Sequence, residues 1–264
     1  MNEEVLVTNY SKSRFDLTLN TLKYIAIIAM AIDHIAHVFV PYESVLGIFM
    51  NIIGMIAGPI MFYSVVEGYH HSRSLNKYLL RLGVFAIISQ LPFIYFVNGG
   101  FAASLDIQSY FYINIIYTML LGTFAIHIRR KLKKPIIAII LILFLSILCI
   151  PTDWGMLGII FIIIFDYFYG NFKKQALAYC MIVLLLIISN TGIHIALFTF
   201  FDEGIFNVSD LNISGIDQAG MFLPIILLGF YNGKKGKGGI FAKWFFYIFY
   251  PLHFLVLSLF WTIL

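Results

Sequence analysis

Apolar residues fall in nine long runs, at 21–40, 46–68, 78–97, 109–128, 135–151, 154–170, 175–198, 217–232 and 241–264. Each run approaches the roughly 20 residues that an α-helix needs to cross a bilayer. The runs at 135–151, 154–170 and 217–232 are short and have the least defined ends. The runs are continuous, whereas a membrane β-barrel strand alternates apolar with polar positions. The pattern predicts an all-α, polytopic membrane helix bundle of about nine transmembrane helices. A polar segment over 1–20 precedes a single transmembrane domain over 21–264. The first apolar run continues to Val40 behind that long polar leader, so it reads as an uncleaved helix rather than a signal peptide.

Composition agrees with this reading. Of the 264 residues, 61% are hydrophobic and 11% are charged. Soluble domains carry about 25% charged residues, so this chain could not cover a soluble surface. It is also far too apolar to stay disordered. Two cysteines, Cys149 and Cys180, give no disulfide framework.

Charge sets a predicted orientation. With the N-terminus in the cytoplasm and nine spans threaded, all 17 Lys and Arg residues fall on or beside inside segments. They group as Lys12, Arg14 and Lys23; Arg73, Lys77 and Arg81; Arg129 to Lys134; Lys173 and Lys174; and Lys234, Lys235, Lys237 and Lys243. The outside loops hold Glu43, Asp106, Asp153, Asp202, Glu203, Asp210 and Asp217, with no Lys or Arg. The C-terminus is then outside. The Gly/Lys tract over 233–239 reads as a flexible cytoplasmic loop whose lysines meet anionic lipid. Asn212-Ile213-Ser214 is a glycosylation sequon in the longest outside loop.

Ionisable groups inside a bilayer are costly and mark candidate sites. Asp33, His34 and His37 share one broad face of the first span. A carboxylate beside an imidazole is the arrangement of a general base, and also of a neutral buried His that fixes helix packing. A metal held by these three is disfavoured, because the spacing matches no zinc signature such as His-Glu-x-x-His. In the second span Pro59 predicts a kink that frees the Met55 carbonyl. Glu67, with His70 and His71, approaches Arg73, Lys77 and Arg81. That cluster is either a structural ion pair or a basic mouth for an anionic cofactor. The last span carries Tyr250-Pro251-Leu252-His253, and Pro251 removes the backbone bond to Tyr247. Asn114 enters the fourth span at a depth similar to Asp33 and His34. Asp33, His34, Asn114 and His253 are therefore candidates for one outward-leaning polar cavity. No phosphate-binding Gly-rich loop, Ser-His-Asp signature or nucleic-acid motif is present.

The opening helix 21–35, the stretch 53–71, Tyr78-Leu79-Leu80-Arg81-Leu82, the stretch 87–93, the stretch 113–122 and the Tyr-Pro-Leu-His at 250–253 together resemble the TraX family. The similarity is dense over 18–122 and thin afterwards, except near the C-terminus. Where a Gly-Arg pair is expected in the second span, this chain has Gly54-Met55. The resemblance implies a pilin acetylase-like multi-pass acyltransferase, associated with conjugation and placed in the bacterial cytoplasmic membrane. It implies acetyl-CoA as the acyl donor from the cytoplasm. The acceptor would be a pilin or other peptide N-terminus, a glycan or a lipid, at or across the lipid bilayer. On that basis Arg73, Lys77, Arg81 and Glu67 are the candidate cofactor site. His34, oriented by Asp33, is the candidate base or nucleophile, and Asn114 and His253 are candidate oxyanion donors. The alternative is a proton-coupled transporter or flippase using Asp33, His34, Glu67 and His253 as a relay. A non-catalytic scaffold of an envelope complex is the third reading.

Overall fold

A computed structural model describes residues 16–102, 111–201 and 217–263. The Asn212 sequon and Lys12, Arg14, Asp106, Asp202, Glu203 and Asp210 lie outside the described residues. The chain is helical along each apolar run: α1 (Leu19–Phe39), α2 (Val45–Gly54), α3 (Ala57–His71), α4 (Leu75–Val97), α5 (Ile115–Lys131), α6 (Pro135–Leu148), α7 (Gly155–Tyr167), α8 (Phe172–Phe201), α9 (Leu223–Gly229) and α10 (Gly239–Ile263). A 3-10 turn over Asp217–Phe222 leads into α9. Among the described residues five segments are long and apolar enough to cross a membrane: α1, Val45–His71, α4, Phe172–Ser189 and α10. α6, α7 and Gln218–Gly229 are apolar but shorter. The chain is a multi-pass membrane protein.

Short polar side chains start these helices. Thr18 accepts from the Thr21 amide to begin α1, Ser44 from Gly47 to begin α2, and Asn114 from Ile116 to begin α5. Each satisfies a backbone donor that the first turn leaves without a partner. The second span is broken where the proline predicts, at the residue whose carbonyl Pro59 leaves without a helical donor. The break falls at Met55–Ile56, between α2 and α3. Pro59 sits in the first turn of α3, where its missing N–H removes no helical bond. At the break the segment also packs closely against α1. A Cβ on Gly54 would lie 2.4 Å from Asp33 Oδ1, so only glycine lets the two helices meet there.

The Gly/Lys tract departs from its expected flexibility. It is a strap bonded to the start of α1. The Leu19 and Asn20 amides donate to the carbonyls of Lys234 and Lys235 at 2.9 and 3.0 Å. Asn20 Nδ2 donates to the Lys237 carbonyl at 2.8 Å. The two amides are first-turn donors of α1, which need acceptors from elsewhere in the chain. Gly236, at φ +85°, gives the strap a left-handed turn against Thr18. One hydrophobic core joins α1, α3, α4, α5, α7 and α10, with Leu22, Phe62, Phe161 and Phe254 among its buried members. At the basic end, the fully buried Asp166 of α7 pairs with Arg129, Arg130 and His70.

Candidate functional site

A cavity of about 690 Å³ runs inside the bundle. Lys23, Arg81, Lys235 and Lys243 line one end of it, and Asp33, His34, Asp153 and Trp154 the other. Both Lys23 and His34 belong to α1. Eleven residues of helix rise about 16 Å and turn about 20° past three full turns, so the two side chains share a face from opposite ends.

The basic end gathers cations from four separate segments. Lys23 interacts electrostatically with Lys235 and Arg81, and Lys243 with the same two. Among the described residues none of the four has a carboxylate partner. The buried Nε of Arg81 has no hydrogen-bond acceptor among them. Lys23 also lies over the Phe246 ring, 5.0 Å from its centroid. Like charges held together without a counter-ion are unfavourable, and an anionic ligand relieves that repulsion. Of the residues expected here, Arg81 and Glu67 line the cavity. Arg73 and Lys77 are exposed and lie off the cavity, so they do not belong to this mouth. Glu67 is buried and accepts from Tyr231 Oη at 2.8 Å, with His71 Nδ1 3.4 Å from the same carboxyl oxygen.

At the other end two imidazoles meet. His34 Nδ1 and His253 Nε2 are 2.9 Å apart. Their ring planes agree within 5° with centroids 5.1 Å apart, so the contact runs edge to edge. His253 Nδ1 is 3.0 Å from the Phe249 carbonyl oxygen. A carbonyl only accepts, so His253 carries its proton on Nδ1 and accepts at Nε2. His34 then donates from Nδ1, which leaves His34 Nε2 with a free lone pair on a ring that lines the cavity. Phe96 and Phe254 wall the same ring, with centroids 5.1 and 4.9 Å away.

Two of the expected oxyanion donors are engaged elsewhere. His253 has no proton left to offer an oxyanion. Asn114 is fully buried, and its amide group donates to the Ala86 carbonyl and to Gln90 Oε1, both at 2.8 Å. It caps α5 and does not line the cavity. His37 is also directed elsewhere. It is exposed and packs on Phe96 and Trp261.

Met55, the position of the expected arginine, lines the cavity beside Gly54 and hence beside Asp33. Glu67 is twelve residues further on, about 18 Å along the helix direction. An arginine at 55 would adjoin Asp33 rather than Glu67.

Lys23, Lys235, Lys243, Asp153 and Tyr250 line the cavity without having been singled out for it. The eleven-residue spacing of Lys23 and His34 was a usable signal for one of them. Asp153 lies between α6 and α7, open to the cavity yet enclosed by protein. Burial pushes its carboxyl up to about 6.

Residues 18–261 match the sequence model of the family described as TraX protein. The chain is 33% identical over 241 residues to the probable fimbrial assembly protein FimC, serogroup H1, of Dichelobacter nodosus. That alignment covers 90% of this chain and 93% of the relative. No solved structure matches. The family match extends through α6 to α10, where the sequence resemblance was thin. The chain belongs to the TraX family.

Proposed function

We propose that this protein is a membrane acyltransferase that moves an acetyl group from acetyl-CoA, entering at the basic end, to an acceptor met at the His34 end. One observation carries the reading: a single cavity joins four cations that lack a carboxylate partner among the described residues to an imidazole with a free nitrogen. The cations suit the phosphates of a CoA, through charge-assisted hydrogen bonds. Arg81 Nε, buried and without an acceptor among the described residues, is the best-placed donor for them. The roughly 16 Å between the two ends, read along α1, suits a slender thioester arm rather than a second bulky group.

The chemistry is an acyl substitution. The acceptor amine or hydroxyl attacks the thioester carbonyl carbon, and His34 Nε2 takes its proton. The C–S bond breaks, and the departing thiolate receives that proton. Asp33 and Asp153 give the acceptor end negative character, which favours a primary ammonium over a neutral hydroxyl. A pilin or other envelope peptide N-terminus fits this description, and the relative named for fimbrial assembly supports it. The bias of Lys and Arg favours the basic end in the cytoplasm, in a bacterial cytoplasmic membrane, so that donor and acceptor approach from opposite sides.

The test is purified protein in lipid nanodiscs with acetyl-CoA and peptides bearing free N-termini. Expected are CoA release and N-acetylated peptide, both falling about 10²- to 10⁴-fold in His34→Ala. Wild-type protein that consumes no thioester, or a His34→Ala variant that keeps its rate, overturns the reading.

A further inference from the structure

Acyl transfer places negative charge on the thioester carbonyl oxygen, and a donor must meet it. The donors expected from the sequence are already engaged. Both donating contacts of Asn114 go to Ala86 and Gln90. The one ring proton of neutral His253 goes to Phe249, and that of His34 to His253. Ser64 Oγ, another polar group lining the cavity, donates to the Met61 carbonyl.

Tyr250 is different. It lines the cavity, its side chain is buried, and its hydroxyl has no hydrogen-bond partner among the described residues. A buried hydroxyl without a partner is unfavourable, and such exceptions cluster where a ligand supplies the missing contact. Tyr250 stands one turn before His253 on α10, with ring centroids 5.6 Å apart. It is therefore next to the pair that sets the base. The Ile115 amide and, through space, the Asp153 carboxylate act on the Tyr250 hydroxyl, and neither makes a full hydrogen bond with it. An N–H can only donate to that oxygen, so the phenolic proton remains free to donate elsewhere.

We propose that Tyr250 is a catalytic residue that donates its phenolic O–H to the acyl carbonyl oxygen as the tetrahedral intermediate forms. The assignment rests on the acyl-transfer reading. As the acceptor's lone pair attacks the carbonyl carbon, the C=O π pair moves onto the oxygen held by Tyr250. His34 Nε2 takes the acceptor proton, the C–S bond breaks as the carbonyl reforms, and the thiolate leaves with the proton from His34. Tyr250 keeps its own proton throughout.

The experiment compares wild type, Tyr250→Phe and Trp154→Phe as full chains in nanodiscs. Tyr250→Phe should lose about 10²- to 10³-fold in kcat, the effect of removing one oxyanion donor. Its KM for acetyl-CoA and its unfolding temperature should not fall, because the deleted oxygen has no hydrogen-bond partner among the described residues. A second readout uses acetyl-CoA labelled with ¹³C at the carbonyl, bound to a His34→Ala background. The C=O stretch should lie at lower frequency when Tyr250 is present than when Tyr250→Phe is added to that background. Incorporation of 3,5-difluorotyrosine at 250, which keeps the shape and strengthens the donor, should lower it further. A Tyr250→Phe rate within threefold of wild type, an unmoved C=O stretch, or the rate loss appearing in Trp154→Phe instead overturns the assignment while leaving acyl transfer standing. A wild type that turns over no thioester overturns both.

Discussion

His253 holds His34 by a 2.9 Å hydrogen bond, and the Phe249 carbonyl behind it decides which nitrogen carries each proton. The candidate base is therefore built from α1 and α10 together. His253→Leu removes the acceptor for His34 Nδ1–H and lets the ring change tautomer. His253→Gln keeps an acceptor oxygen at that place. Acetyl transfer should fall about 10²-fold or more in the leucine variant and substantially less in the glutamine variant, measured as kcat in nanodiscs. Equal losses in both would mean that only the volume of the ring matters.

The basic mouth predicts a split between residues close in sequence. Lys23→Met, Arg81→Met and Lys235→Ala should each weaken acetyl-CoA binding about 10- to 100-fold, the range of one charge-assisted hydrogen bond. Arg73→Ala and Lys77→Ala, exposed and off the cavity, should change it by about twofold or less. Isothermal titration with detergent-purified protein distinguishes the two groups. The affinity of the wild type should also decline as salt is raised.

Asp153 carries a carboxyl held at about 6 in the folded protein, above the ordinary carboxylic acid value. The folded state then binds a proton that the unfolded chain has released. Stability contributed by this group is full below the unfolded value of about 3.9 and declines as pH rises through about 6. Asp153→Asn should unfold at the same temperature as wild type below about pH 4 and at a higher one at about pH 7.5. Thermal melts of the two proteins across that range check the sign. An asparagine variant less stable at neutral pH would show that the carboxylate has a cationic partner there.

Asp166 predicts a loss of stability without a loss of chemistry. It is fully buried, bridges Arg129, Arg130 and His70, and does not line the cavity. Asp166→Ala leaves two guanidinium groups without their counter-ion and should cost about 3 kcal/mol or more. Yield and unfolding temperature should drop, while kcat per folded molecule stays near wild type.

The helices were legible because their apolar runs are long and the bilayer sets one length for all of them. His34 and His253 were legible because an imidazole in such a run is conspicuous. What joins them was not, because residues 219 positions apart carry no shared pattern. Arg73 and Lys77 looked like a mouth through their nearness to Glu67 in sequence. The true neighbours of Arg81 come from α1, α10 and the strap, which only the bundle assembles. Asp166 sits in a run hydrophobic enough to hide one carboxylate, and its partners on α5 read as ordinary positive-inside residues. The strap's lysines looked solvated because glycine-rich composition says nothing about backbone hydrogen bonds made to a distant helix.

The strap has a thermodynamic corollary. Lys235 reaches the mouth only while its segment is docked on the first turn of α1 through the Leu19 and Asn20 amides. An anion gripped by Lys23 and Lys235 thus favours the docked form, and by reciprocity docking favours the anion. Saturating the protein with donor should slow hydrogen exchange at Leu19 and Asn20, so occupancy of the mouth is written into how tightly the strap is fastened to the start of α1.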